Sequence, residues 1–195
     1  MMNNPFSNNI STEELMPLPL TCFKGNIHVI DSAEKINRAI SFLSRYKLLG
    51  FDTETKPSFK KGRNNNIALL QLSTESDAFL FRLDRIKLND DIKTLLQDNS
   101  ITKVGAAIND DLKGLKELSD FQPGGFVELQ DFVKTFGIEP NGLKKIAAIV
   151  LGIRISKSQQ VSNWENPALT ESQLLYAATD AWVCEAIYKK LLKYS

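Results

Sequence analysis

The chain has 195 residues, enough for one domain with a real core. Its 43% hydrophobic and 24% charged residues are ordinary for a soluble globular protein. A formal net charge of +1 excludes a histone-like or purely electrostatic nucleic-acid binder, while leaving room for a locally basic groove.

Residues 1–24 are rich in Asn, Ser and Pro and lack periodicity, so they read as a flexible tail or a segment draped over the domain. They have no basic stretch followed by an apolar run, as a secretory leader would. From residue 25 to 195 the pattern is that of one continuous α/β domain. "NIHVI" (26–30) predicts a strand, and "SAEKINRAISFLSRY" an amphipathic helix with Ser32 as N-cap and Ile36, Ile40, Phe42 and Leu43 on its apolar face. "LLGFDTE", "NIALLQLS" and "AFLFRL" predict three strands, the last two joined by the turn "TESD" as a hairpin. "DDIKTLLQD" predicts a helix, "TKVGAA" a short strand, and "DDLKGLKEL" a helix opening on Asn109, Asp110 and Asp111. "NGLKKIAAIVLG" is helical between Asn141 and Gly152. The last helix starts at the capping box "TESQ", Thr170 to Gln173, and runs almost to the C-terminus.

Antiparallel strands early, then strands alternating with helices, predict a mixed β-sheet flanked by helices, an α/β fold. The longest apolar stretch, "IAAIVLGI", is too short to span a bilayer. Cys22 and Cys184 lie far apart and form neither a ligand spacing nor a disulfide pattern, which fits a reducing, intracellular setting.

Three stretches carry chemistry. Asp52 and Glu54 end the apolar run "LLGF", and side chains two apart on a strand point to the same side. Both are hydrated acids at a strand end, or a like-charged pair neutralised by a cation. A hard divalent metal is the economical cation for carboxylate oxygens. Asp110 and Asp111 stand where a strand gives way to a helix, where acids offset the helix dipole and need no further purpose. The leucines that follow, Leu112, Leu115 and Leu118, put Asp111 near the buried edge and Asp110 toward water. Tyr176 and Asp180 are four apart, hence on one helical face, in a helix that is apolar almost all round. A buried Asp there needs a partner, either a metal or a basic side chain.

At these residues the chain resembles the DEDD family of 3′–5′ exonucleases, in the subgroup whose third motif carries tyrosine. "FDTE" matches the first motif, "VGAAINDD" the second, with the family acid on Asp111, and "YAATDA" the third. "IALLQLS", "FVELQD" and "SNWENPALTESQ" agree in order, so the likeness covers roughly residues 24–193. The resemblance implies a ribonuclease-H-like fold and hydrolysis of a 3′-terminal phosphodiester with two divalent ions, Mg²⁺ or Mn²⁺. It implies that Asp52, Glu54 and Asp180 hold one ion, that Asp52 and Asp111 reach the second, and that Tyr176 orients the attacking water. It also implies nucleic acid with a free 3′ end as the partner, with DNA favoured over RNA. The only histidine, His28, lies on the first strand, which excludes the histidine-bearing subgroup and leaves His28 a structural residue.

Gly114, three after Asp111, stands where relatives often carry a basic residue. No helicase, polymerase or accessory helical region is expected in this sequence, so targeting and processivity would need a partner protein or are not required. Substrate contacts are expected from Lys56, Lys60, Lys61 and Arg63 in the loop "KPSFKKGRNNN", or that loop is simply a solvated basic one. Trp164 would stack a base or anchor its own loop, and Gln71 stays within the sheet. Two other readings stand beside the enzyme: a non-catalytic nucleic-acid-binding module, and a scaffold whose buried acids pair with lysines.

Overall fold

The structure is a computed structural model and describes residues 5–57, 65–139 and 142–195. Its centre is a six-stranded sheet in the order β1-β4-β3-β2-β5-β6. The strands are β1 (Asn26–Ile30), β2 (Leu48–Thr55), β3 (Ile67–Ser73), β4 (Asp77–Arg82), β5 (Thr102–Gly105) and β6 (Phe126–Glu128). β2–β3 and β3–β4 pair antiparallel, whereas β1–β4, β2–β5 and β5–β6 pair parallel. The helices are α1 (Thr12–Leu15), α2 (Ala33–Leu43), α3 (Leu83–Ile86), α4 (Asp90–Gln97), α5 (Ile108–Leu118), α6 (Leu129–Phe132), α7 (Leu143–Leu151) and α8 (Glu171–Leu191).

The central strand β3 is buried at every position, so it reads as a continuous apolar run rather than an alternating one. One face of the sheet packs α2, α4 and α5 around Phe51, Leu70, Leu72, Phe81 and Leu115. The other face takes α7 and α8, with Val183, Ile187 and Leu191 of α8 packing on Ile146 and Val150 of α7. The long helix opens on its expected capping box, in which the Thr170 hydroxyl accepts from the Gln173 N–H. The Thr74–Asp77 hairpin also forms, closed by the Thr74 N–H donating to the Asp77 carbonyl at 2.8 Å. Ser32 precedes α2 as expected, but its side chain makes no capping bond. The helix predicted to open on Asn109 begins one residue earlier, at Ile108. Asn141, the expected start of α7, lies outside the described residues.

Three local features shape one end of the sheet. Gly50 faces α8, and a Cβ there would meet the Ala181 carbonyl oxygen at 1.9 Å, so the helix backbone lies directly on the strand. The pairing of β2 with β3 shifts register between Glu54 and Thr55, which bends the strand end beside its acids. Ala107, just before α5, sits at φ 62, in the left-handed region unfavourable to a side-chain-bearing residue.

Residues 5–24 run against the domain. Leu15 and Phe23 are buried. Thr21 N–H donates to the Arg154 carbonyl at 2.8 Å and Arg154 N–H to the Pro19 carbonyl at 2.9 Å. Among the described residues no helix is long and apolar enough to cross a membrane.

Candidate active site

Alternation along β2 sends Gly50, Asp52 and Glu54 to the face that carries α8, where Asp180 comes down one turn after Tyr176. The missing side chain at Gly50 lets α8 settle close enough for the two elements to share a site. One carboxylate oxygen from each of Asp52, Glu54 and Asp180 falls within 4.8 Å of the others. None of the three is ion-paired to a described residue. Asp180 is buried, and the two strand acids are partly so.

Asp111 arrives from the opposite layer, on the first turn of α5. Its Oδ1 accepts from the Thr53 hydroxyl at 2.5 Å. Thr53 lies between Asp52 and Glu54 and points to the other side of the strand, so β2 links all four acids. Asp110 is exposed, as its place on the helix predicts. The turn that aims Asp111 is clamped by Glu128 at the end of β6. Its two carboxylate oxygens accept from the Ala107 N–H at 2.9 Å and the Ile108 N–H at 2.8 Å. This stabilises the left-handed residue and satisfies donors at the helix start. Glu128 is a positioning residue that its sequence surroundings did not single out; the one signal was an acid ending a short strand in "FVELQD".

The electrostatics follow from burial without neutralisation. Desolvation, then the charges of Asp180, Glu54 and Asp111, holds the Asp52 carboxyl well above the usual carboxylate range. Glu54 is pushed up to about 9 by burial and then by Asp180 and Asp111. Asp180 rises to about 7 through burial, with the Tyr176 hydroxyl and the Lys157 charge holding it back. Asp111 reaches about 6, raised by burial and held down by the Thr53 hydroxyl. Burial and the neighbouring acids also raise the Tyr176 phenol, so it keeps its proton. Oxygen donors at this density fit a divalent cation, which removes the repulsion that otherwise protonates them. The scaffold reading, in which lysines neutralise the acids, finds no such pair among the described residues.

Asp52, Glu54 and Asp180 line a cleft of about 310 Å³ together with Tyr176, Lys144 and Lys157. Trp164 does not reach it. The indole is wholly buried against Ala68, Leu69, Leu80 and Ala177, so the base-stacking expectation is corrected: its flat face is used as core. Its ring lies 6.1 Å from that of Tyr176, which it backs from within. Lys56 pairs with Glu165 at 2.9 Å. Lys60, Lys61 and Arg63 lie outside the described residues. A Cβ on Gly114 would meet Ile67 Cδ1 at 2.9 Å, so that position abuts β3. His28 stacks on Phe79 and bonds Asp77 at 2.8 Å, a structural role. Gln71, the cross-strand partner of Asp52, is buried in the sheet with neither amide atom bonded to a described residue.

A mixed six-stranded sheet flanked by helices, with acids gathered from two strand positions and two helices, defines a ribonuclease-H-like nuclease fold. The chain belongs to the 3′–5′ exonuclease domain family, whose profile matches residues 27–194. It is 35% identical over 184 residues to the mouse bifunctional 3′–5′ exonuclease/ATP-dependent helicase WRN, covering 89% of this chain and 13% of that protein. It is 33% identical to the Drosophila melanogaster exonuclease 3′–5′ domain-containing protein 2, covering 86% of this chain and 30% of that one. The chain therefore spans less than a third of either relative. Among solved structures, the Aedes aegypti Nibbler EXO domain superposes with a TM-score of 0.78 at 25% identity, covering 89% of this chain and 91% of that one. Escherichia coli RNase D shares the fold at a TM-score of 0.78, covering 86% and 44% of the two chains. Members of this family act on nucleic acid, and the acid cluster suits divalent-metal use.

Proposed function

We propose that this chain removes nucleotides one at a time from the 3′ end of a nucleic-acid strand, releasing nucleoside monophosphates, with two Mg²⁺ or Mn²⁺ ions. Residues 25–195 form the catalytic domain in this reading. The observation that carries it is the unneutralised trio Asp52, Glu54 and Asp180, with oxygens within 4.8 Å of one another beside Tyr176. Asp52, Glu54 and Asp180 would hold one ion, and Asp52 with Asp111 the other. Divalent cations there supply Lewis-acid stabilisation of the charge that develops as a phosphodiester is hydrolysed.

The protein's own part is positioning. Tyr176 is held protonated by burial and by its acidic neighbours, so it is no base. Its hydroxyl orients a water toward the terminal phosphodiester by hydrogen bonding. Trp164 fixes the ring from behind. Asp111 is aimed by Thr53 and by the Glu128 clamp, and Asp180 by the seat of α8 on Gly50.

The strand is DNA in this reading, supported by the 35% identity to a protein named as a helicase-linked exonuclease. The test is side-by-side digestion of 5′-labelled single-stranded DNA, recessed duplex DNA and single-stranded RNA of one sequence, with each metal. A ladder shortening from the 3′ end, stopped by chelator and by Asp52→Ala, is expected. Undiminished hydrolysis in excess chelator, or in the Asp52→Ala protein, refutes the reading. Strand binding with no nucleotide released under either metal would make the chain a binding module instead.

A further inference from the structure

The acidic cleft is lined by two cations that form no ion pair or hydrogen bond among the described residues. Lys144, on the first turn of α7, and Lys157, in the loop after that helix, both line it. Neither forms an ion pair or hydrogen bond with a described residue. Their neighbours are committed elsewhere. Lys56 is held by Glu165 at 2.9 Å, Lys145 reaches Asn9 at 3.4 Å, and Arg154 Nε donates to the Leu18 carbonyl at 3.0 Å. Two lysines beside a group of carboxylates would ordinarily close on them. Here both stay outside the 4 Å of an ion pair, although the Lys157 charge is felt at Asp180.

We propose that Lys144 and Lys157 are the phosphate-binding residues of this cleft, taking the backbone of the strand whose 3′ end reaches the carboxylates. The inference rests on the exonuclease reading and names residues that reading leaves open. A polyanion entering the cleft meets Asp52, Glu54 and Asp180, which repel it, so other groups lining the cleft must supply attraction. Lysine suits sequence-independent contact because it is a point charge on a flexible stem, with no fixed geometry to match to a base. The two arise from adjoining elements, α7 and the loop that follows it, whereas the acids that line the cleft come from β2 and α8. Gln130 and Gln160, which also line the cleft, add neutral donors.

The test is fluorescence anisotropy with a 5′-labelled twelve-nucleotide strand in chelator, across a salt series. It compares wild type with Lys144→Gln, Lys157→Gln and the double variant. Each phosphate contact on a single strand contributes roughly 0.7 to the slope of log affinity on log salt. Each single variant is therefore expected to flatten the slope by about 0.7 and the double by about 1.4, with about tenfold weaker binding at moderate salt. In steady state, KM rises while kcat holds within a few-fold, and Lys157→Arg restores most of the affinity. The melting-temperature rise on adding Mn²⁺ stays at the wild-type value in the double variant. An unchanged salt slope overturns the assignment. So does loss of the Mn²⁺ response, which would make the lysines supports of the acid cluster. If wild type digests the strand and the double variant does so identically, only the lysine assignment falls. If wild type neither binds nor digests any strand, the exonuclease reading itself has failed.

Discussion

Replacing Glu54 with glutamine should make the metal-free protein more stable while destroying its response to divalent ions. In the folded chain the Glu54 carboxyl is pushed up to about 9 from an ordinary 4.5, by burial first and by Asp180 and Asp111 next. At neutral pH it therefore keeps a proton that the unfolded chain has released. From 4.5 to 7 is 2.5 units, and at about 1.4 kcal/mol per unit the folded state is disfavoured by about 3 kcal/mol. A raised acid pKa contributes full stability below the unfolded value, and that stability drains away as pH climbs to the folded value. The window for Glu54 is thus about pH 4.5 to 9. Glutamine is neutral throughout. For a chain of this length about 3 kcal/mol corresponds to roughly 6–12 °C in melting temperature, and imperfect hydrogen bonding of the new amide trims this to several degrees. The assay is differential scanning fluorimetry at pH 7 in chelator and then in Mn²⁺. Glu54→Gln should melt several degrees above wild type in chelator, with little further rise in Mn²⁺. A Glu54→Gln protein that melts below wild type in chelator would refute the premise that burial and the neighbouring acids keep this carboxyl protonated in the fold.

Further outcomes follow from the same geometry. The wild-type melting rise on adding Mn²⁺ should grow between pH 6 and pH 9, because Asp111, Asp180 and Glu54 lie at about 6, 7 and 9 and must lose protons to ligate; a rise independent of pH would contradict this. Gly50→Ala should push α8 off β2, costing about 2–4 kcal/mol in denaturant melts and most of the Mn²⁺ response, since the new Cβ would fall on the Ala181 carbonyl. Glu128→Ala should cost about 1–3 kcal/mol by leaving the Ala107 and Ile108 N–H groups without their acceptor, and should lower kcat as Asp111 loses its aim. Trp164→Ala should destabilise by about 3–5 kcal/mol, whereas Trp164→Phe should leave oligonucleotide affinity near wild type, because the indole touches core and not strand.

Most of the sheet could be read from periodicity. The strand at 26–30, the helices at 90–97 and 171–191 and the 74–77 turn all carry local signals strong enough to survive tertiary context. β6 did not, because three residues hold too little pattern to separate a strand from a loop. Nor did α1, whose capping box at Ser11 sits in a stretch otherwise rich in breakers. Of the site, spacing marked the Asp52–Glu54 pair and the buried Asp180 beside Tyr176, whereas only the family resemblance separated Asp111 from an acid that offsets a helix dipole. Glu128, Lys144 and Lys157 did not, since an acid after a short strand, a lysine in a helix and a lysine in a loop look like solvated surface. What gives them a role is the proximity of segments far apart along the chain, which one-dimensional pattern does not hold. Trp164 admitted two readings, and its burial fits the core or loop-anchoring one. An aromatic among polar neighbours suggests a platform for bases, but "SNWEN" is a polar loop nailed to the core by its one large side chain.

The segment before β1 has a bearing on where this folding unit starts. The family region opens at residue 27, yet the Phe23 ring is buried and its N–H donates at 3.0 Å to the Thr179 hydroxyl, immediately before Asp180. A chain trimmed to begin at residue 25 would keep every acid and still uncover the outer side of the helix that carries one of them. Loosened activity in such a truncation would then report a missing brace and say nothing against the chemistry.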